Sequence, residues 1–283
     1  NAFARDGRIN ARFVLLEEDD PTQSRLALPV SAGDWSGFDV AILGDIRPTD
    51  LSDAQWQGLR DHVAEAGAGV ILAAGPEHMP ADFWKSPLAD LLPFGPVVGD
   101  AIARDQPWQL MPTRAGSDHP ILKLRPEGQA AGLWNAFPSL YWYSEVGPLK
   151  PAARVLAERP ATADAPAWPV VILQPVGRGQ VLFVGTDETW RWRQEVGDRY
   201  FYRFWAQAAM FVGLYHRTQS LPSPATASAD AAGALDERID LRARTELLGR
   251  LARESGGRCV GLADLPGLVR TLAAEELPER WRR

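Results

Sequence analysis

The stretch Gly177–Tyr215, GRGQVLFVGTDETWRWRQEVGDRYFYRFWAQAAMFVGLY, decides the fold of this 283-residue chain. Gly177-Arg178-Gly179 reads as a tight turn between two apolar runs, VVILQPV before it and QVLFVG after it. An antiparallel hairpin is expected there. QVLFVG is apolar without alternation and bounded by glycines, the pattern of a strand covered on both faces. The run stops at Thr186-Asp187-Glu188-Thr189. Asp198 is placed to cap a following helix. In that helix Phe201, Phe204, Trp205, Ala208, Phe211, Val212 and Tyr215 recur at three- and four-residue steps, while Arg199, Arg203 and Gln207 fall on another face. A wide apolar stripe of this kind packs on a sheet. A polar loop at the carboxyl end of a buried strand is where open α/β sheets place ligands. This loop is therefore the first candidate site.

Working outward, FVLL (13–16), FDVAIL (38–43) and GVILAA (69–74) read as further buried strands, and ARVLAE (153–158) as another. Ser52 and Gln55 form a capping box for a helix over Ser52–Ala66, whose buried stripe is Trp56, Leu59, Val63 and Ala66. Gly67 and Gly69 end it. Apolar strands alternating with helices argue for an α/β domain: a mostly parallel sheet between helix layers, with one antiparallel hairpin. From Pro80 to Lys150, proline and glycine punctuate the chain every few residues. Trp134, Phe137, Tyr141, Trp142 and Tyr143 are read as core sealing one sheet edge, with a ligand-facing wall as the alternative. The domain spans 1–219. An Ala/Ser/Pro-rich linker occupies 220–235, and 236–283 is a helical C-terminal segment whose apolar face needs a partner.

Composition removes several functions. The chain carries 36 Asp and Glu against 30 Lys and Arg, a net charge of −6. With no basic stripe, nucleic acid is not an expected partner. A single cysteine, Cys259, excludes an internal disulfide and a multi-cysteine metal site. The four histidines show no metal-ligand spacing. No apolar run approaches the roughly 20 residues of a membrane span, and no signal-peptide pattern opens the chain. The start at Asn1, without methionine, suggests a piece of a larger parent.

Four segments together carry a resemblance. They are FDVAILGDIRPTDLSDAQWQGLRDHVAEAGAGVILAAGP, DHPILKL, LYWYSEVGPLKPAARVLAE and PVGRGQVLFVGTDETWRWRQEVGDRYFYRFW. Over roughly residues 10 to 215 the chain resembles the glutamine-amidotransferase-like domain of large uncharacterised bacterial membrane proteins. In those proteins the domain accompanies von Willebrand factor A-like domains. The resemblance implies a flavodoxin-like three-layer α/β/α fold. It also implies a soluble domain of a membrane-anchored bacterial parent, with other domains of that parent or an envelope complex as partners.

An amidotransferase of this class needs a cysteine on a sharp turn after a central strand, activated by a histidine that a carboxylate orients. The matching turn here, Ala73-Ala74-Gly75-Pro76, offers neither thiol nor hydroxyl. His78 follows that turn with nothing to activate. Cys259 lies in the tail with no histidine near it, and His119, before a proline, reads as structural. Glutaminase activity and a cofactor are not expected. The rival reading uses strand-end carboxylates: Glu17, Glu18, Asp19 and Asp20, then Asp45, Asp187 and Glu188. In that reading Asp45, Asp187 and Glu188 serve a divalent-metal-dependent hydrolase. Against it stand Arg191, Arg193 and Arg199, ready to pair with those acids.

The leading expectation is a non-catalytic binding module whose cleft is lined by Asp45, Ala74, Gly75, His78, Asp187, Glu188, Trp190, Arg191 and Trp192. In an extended TDETWRWR segment both tryptophans would face one side and both arginines the other. Trp190 is expected to be buried beneath the 134–143 aromatics. Trp192 stays open between core and rim.

Overall fold

QVLFVG forms the centre of the sheet in a computed structural model that describes residues 9–16, 28–97, 106–125, 132–195 and 197–219. Among the described residues the strands are β1 (Val40–Leu43), β2 (Gly69–Ala73), β3 (Met111–Pro112), β4 (Arg154–Arg159), β5 (Trp168–Val176) and β6 (Gly179–Val184). Their order across the sheet is β1-β2-β6-β5-β4-β3. β1 pairs with β2, and β2 with β6, in parallel. The pairings β6–β5, β5–β4 and β4–β3 are antiparallel. The sheet is thus mixed, with two parallel and three antiparallel pairings, rather than mostly parallel. The hairpin that the glycines announced opens the antiparallel half, because each strand after it returns along its neighbour.

The hairpin turn shows why Gly177 is required. Its φ is +56°, and a Cβ there would lie 2.2 Å from the carbonyl oxygen of Ala64. Val176 pairs with Gly179, so Gly177 and Arg178 form a two-residue loop.

Both faces of the sheet are covered. Val70, Leu72, Val181 and Phe183 join one apolar cluster with Trp56, Leu59 and Val63. Ile71, Leu182 and Val184 join the other with Phe204, Ala208 and Val212. Successive strand residues point to opposite faces, so an unbroken apolar run feeds two cores at once. Each side chain of this size contributes about 1.5–3 kcal/mol on full burial, which is why these runs, and not local propensity, fix the centre.

Helix α1 (Asp53–Asp61) begins with the expected capping box: the Ser52 hydroxyl accepts from the Gln55 amide, and the Gln55 side chain accepts from the Ser52 amide. It passes into a π-helical turn, His62–Ala66, and stops at Gly67 with φ +90°. Helix α2 (Arg114–Ser117) and helix α3 (Trp192–Glu195) are single turns. Helix α4 (Asp198–Gln219) is the long amphipathic helix that the aromatic stripe indicated. No helix among the described residues is long and apolar enough to cross a membrane.

One expected strand is missing. Residues 13–16, FVLL, form no strand. Phe13 and Leu15 are exposed while Val14 and Leu16 are half-buried beside the open edge of β1. The run alternates like a strand but makes no ladder. Glu17, Glu18, Asp19, Asp20, Cys259, the linker at 220–235 and the segment 236–283 lie outside the described residues.

Candidate functional site

The three parallel strands deliver their carboxyl ends to one edge of the sheet. Asp45 follows β1 by two residues, Ala74 and Gly75 follow β2, and Thr186, Asp187 and Glu188 follow β6. The strands are held level there by the amide of Ala74, which donates to the Val184 carbonyl at 2.9 Å.

Asp45 is occupied as a loop anchor. Its Oδ1 accepts from the amides of His78 at 2.8 Å and Met79 at 2.7 Å, and its Oδ2 from the amide of Glu77 at 2.9 Å. The loop folds back so that the Gly75 amide reaches the Met79 carbonyl at 3.1 Å. This brings Gly75 directly against the Asp45 carboxylate: a Cβ at Gly75 would sit 2.3 Å from the Cβ, Cγ and Oδ2 of Asp45. No side chain of any kind fits on that turn without displacing the anchor. The His78 ring turns away to Asp82, with Nδ1 2.9 Å from Oδ2.

Glu188 is buried and equally engaged. Oε2 accepts from the amides of Tyr141 and Trp142, and Oε1 from Nε of Arg191 at 2.8 Å. Thr186 Oγ1 donates to the Trp142 carbonyl at 2.9 Å and accepts from the Glu188 amide at 3.2 Å. Together these bonds fasten the aromatic stretch 141–144 to the end of β6.

Asp187 differs from both. It is exposed, and its pKa is raised above the ordinary carboxylate value, first by desolvation and then by the charges of Glu188 and Asp45. Its own backbone amide and Arg191 act in the opposite direction. The native state then binds a proton more tightly than the unfolded chain, so the carboxyl's contribution to stability falls as pH rises from the ordinary carboxylate range through the raised value. Asp187→Asn is therefore expected to melt higher than wild type at pH 7, with the gap closing near pH 4. The gap is modest because solvent screens an exposed group. Thermal melts at the two pH values check it, and an Asp187→Asn variant less stable at pH 7 would contradict it.

Across from Glu188 the surface carries an aromatic platform. The Arg191 guanidinium lies 5.0 Å from the Tyr141 ring centroid and 4.9 Å from that of Trp190. Tyr141 is 46% exposed and Trp190 43%. Cation–π contact and the Glu188 ion pair hold this layered group rigid while leaving both rings accessible.

The expectation for Trp190 is overturned, and Trp192, open between core and rim in the sequence, belongs to the core. Trp192, fully buried, stacks on Phe137 at 4.6 Å between centroids and meets Trp134 and Phe204 edge-on at 6.0 and 5.6 Å. Trp190 is on the rim. The cause is local: Glu188–Arg191 is a 3₁₀ turn and Trp192–Glu195 a helical one. Residues two apart therefore do not share a side, as they would in a strand. The arginines divide likewise, Arg191 to Glu188 and Arg193 to Asp198 at 2.9 Å.

The structure thus brings Asp45, Ala74, Gly75, His78 and Asp187 to one edge, puts Glu188, Trp190 and Arg191 beside them, and sends Trp192 to the core. Among the described residues no group of three or more His, Cys, Asp and Glu is arranged to hold a metal ion. Tyr141 was missed as a rim residue, because what keeps it outside is Arg191, far away in sequence. His119, buried, packs its ring on Phe211 at 4.5 Å and accepts from the Ile121 amide, as a structural histidine does. Desolvation, then the nearby Arg154 charge, lowers its pKa. A hollow of about 180 Å³ runs along the β1 edge among Val14, Leu16, Leu28, Phe38, Ile42 and Leu51 and reaches Gly44 and Ile46 on either side of Asp45. Its lining is largely apolar.

No protein-family model and no curated protein matches the chain. Among solved structures, cytoplasmic protein STM3548 from Salmonella typhimurium is similar at a TM-score of 0.50 and 14% identity, over 66% of this chain and 77% of that one. Cytoplasmic protein STM1381 from Salmonella typhimurium LT2 gives 0.47 and 20%, over 68% and 76%. A β-galactosidase from Bacillus circulans sp. alkalophilus gives 0.35 and 17%, over 62% of this chain and 23% of that one. At these identities the first likeness concerns the α/β fold alone.

Proposed function

We propose that residues 1–219 are a degenerate, non-catalytic amidotransferase-like domain of flavodoxin-like three-layer α/β/α type. It acts in ligand or protein binding within a larger, membrane-associated bacterial protein. The observation that carries this reading is the closed turn at Gly75. The position a nucleophile would take is filled by Asp45, and the anchor itself is held by three backbone amides. We read the carboxylates at the sheet edge as serving the fold: Asp45 and Glu188 have both oxygens hydrogen-bonded to protein donors, which favours anchoring over metal ligation.

What remains accessible is the layered Tyr141–Arg191–Trp190 surface beside Asp187. Tyrosine, tryptophan and arginine are the residue types that dominate binding hot spots. Such a rigid platform suits another domain of the parent or a member of an envelope complex, and it requires no cofactor.

The experiment is to install the missing thiol. Gly75→Cys is expected to release no ammonia from glutamine, because the new side chain must displace Asp45 and the His78 ring is turned away to Asp82. Turnover by that variant would contradict the reading.

A further inference from the structure

The two edges of the sheet are not alike. β3, at one end, is two residues long and carries Pro112, which has no amide to offer a further strand. β1, at the other, is Val40-Ala41-Ile42-Leu43, with no proline, lysine or bulge to protect it. In a parallel ladder alternate residues turn their N–H and C=O toward the neighbouring strand. Val40 stands opposite Gly69, and the Gly69 amide donates to the Asp39 carbonyl at 3.0 Å. Asp39, Ala41 and Leu43 therefore face β2, and Val40 and Ile42 face outward. Among the described residues nothing bonds to the outward amide and carbonyl of either. The Gly44 carbonyl, next in that row, is closed off by the Ile46 amide at 3.0 Å. Residues 12–16 share the hollow along this edge but make no ladder with it.

We propose that β1 is a self-pairing edge, through which two copies of this chain associate as a two-fold dimer with one sheet running across both. One antiparallel register uses every open group. With the two-fold axis at Ala41, Val40 of one copy meets Ile42 of the second, and each such pair exchanges two hydrogen bonds. The same holds with the copies interchanged, as a two-fold interface requires. Ala41 meets its own counterpart on the axis, where residues that share no hydrogen bond come closest and a methyl group fits. Asp39 falls opposite Leu43, and Asp45 opposite Gly37, so no carboxylate is set against another. The flanks are apolar as well. Phe13, Leu15, Val30 and Ile42 are four of the eight large apolar side chains exposed among the described residues, and they lie in β1 or in the segments 12–16 and 28–30 beside its hollow. A standard interface takes roughly 800 Å² per partner. A four-residue edge alone offers less, and these side chains enlarge it, which places the association in the weak, concentration-dependent class.

The full chain is followed by sedimentation velocity between about 5 and 500 μM. Exchange between monomer and dimer is expected within that range. Ile42→Lys puts a charge on the exposed edge and should weaken association at least about tenfold while leaving the melt close to wild type. Amide hydrogen exchange identifies the surface in the unaltered chain. The Val40 and Ile42 amides should slow as concentration rises, whereas those of Ala41 and Leu43, bonded to β2, stay protected throughout. A chain that remains monomeric to about 500 μM, a dimer that Ile42→Lys leaves unchanged, or Val40 and Ile42 amides whose exchange is independent of concentration would each overturn the proposal.

Discussion

Trp192→Ala is expected to lower stability by about 3–5 kcal/mol, and Trp190→Ala to leave the melting temperature nearly unchanged. The first figure is the cost of emptying a large aromatic site in a packed core. Trp192 is fully buried between Phe137, Trp134 and Phe204, in the cluster that also holds Leu182 and Val184 of the central strand. Its neighbours are rings, which do not collapse easily into the vacated volume. At roughly 2–4 °C per kcal/mol for a domain of this size, the melt should fall by about 6–20 °C. Trp192→Phe should recover much of the loss, since it keeps a ring and removes an indole N–H that has no partner in the core. Trp190, by contrast, has its accessible ring on the rim, and its main contact is Arg191. Equal losses in the two alanine variants would mean that the 3₁₀ and helical turns are wrongly placed.

Asp45→Ala should cost about 2–4 kcal/mol. It strips the acceptor from three amides at once, at roughly 1–3 kcal/mol for each donor left without a partner. The exposed Glu77 amide regains water, so the three costs do not sum in full. Asp45→Asn keeps one acceptor oxygen and should lie between wild type and alanine. Adding divalent cations should leave the wild-type melt unchanged, because Asp45 already anchors three amides and no group of three metal-ligating side chains is assembled among the described residues. A cation-dependent rise lost in Asp45→Asn would restore the metal reading.

Much of the fold was legible because the deciding runs are continuous and apolar. QVLFV, VILA and VVIL must be covered on both faces wherever they lie, and the glycine turn between two of them dictates a hairpin. FVLL has a similar apolar composition, but Phe13 and Leu15 are exposed while Val14 and Leu16 are half-buried, so the run is covered on one side only and makes no ladder. The proportion of parallel strands was not legible either. It depends on β4 and β3 adding outward from the hairpin, through a segment punctuated by proline and glycine.

At the site, the sequence located the strand-end acids but not their roles. Asp45 reaches amides 32 to 34 residues away, and Glu188 reaches amides 46 and 47 residues back. Only the fold shows that both are anchors. Trp190 departs from its expected burial for a local reason. Alternation was read as extended chain, whereas a loop that leads into a helix had already begun to coil.

A degenerate sheet edge performs no chemistry on glutamine. Ammonia release from glutamine by the purified chain is the direct measurement, run beside a Cys259→Ala control that removes the sole thiol. No release above that control is predicted, because the turn at Gly75 carries no nucleophile and has no room for one. Sustained turnover by the wild-type chain that Cys259→Ala abolishes would contradict it.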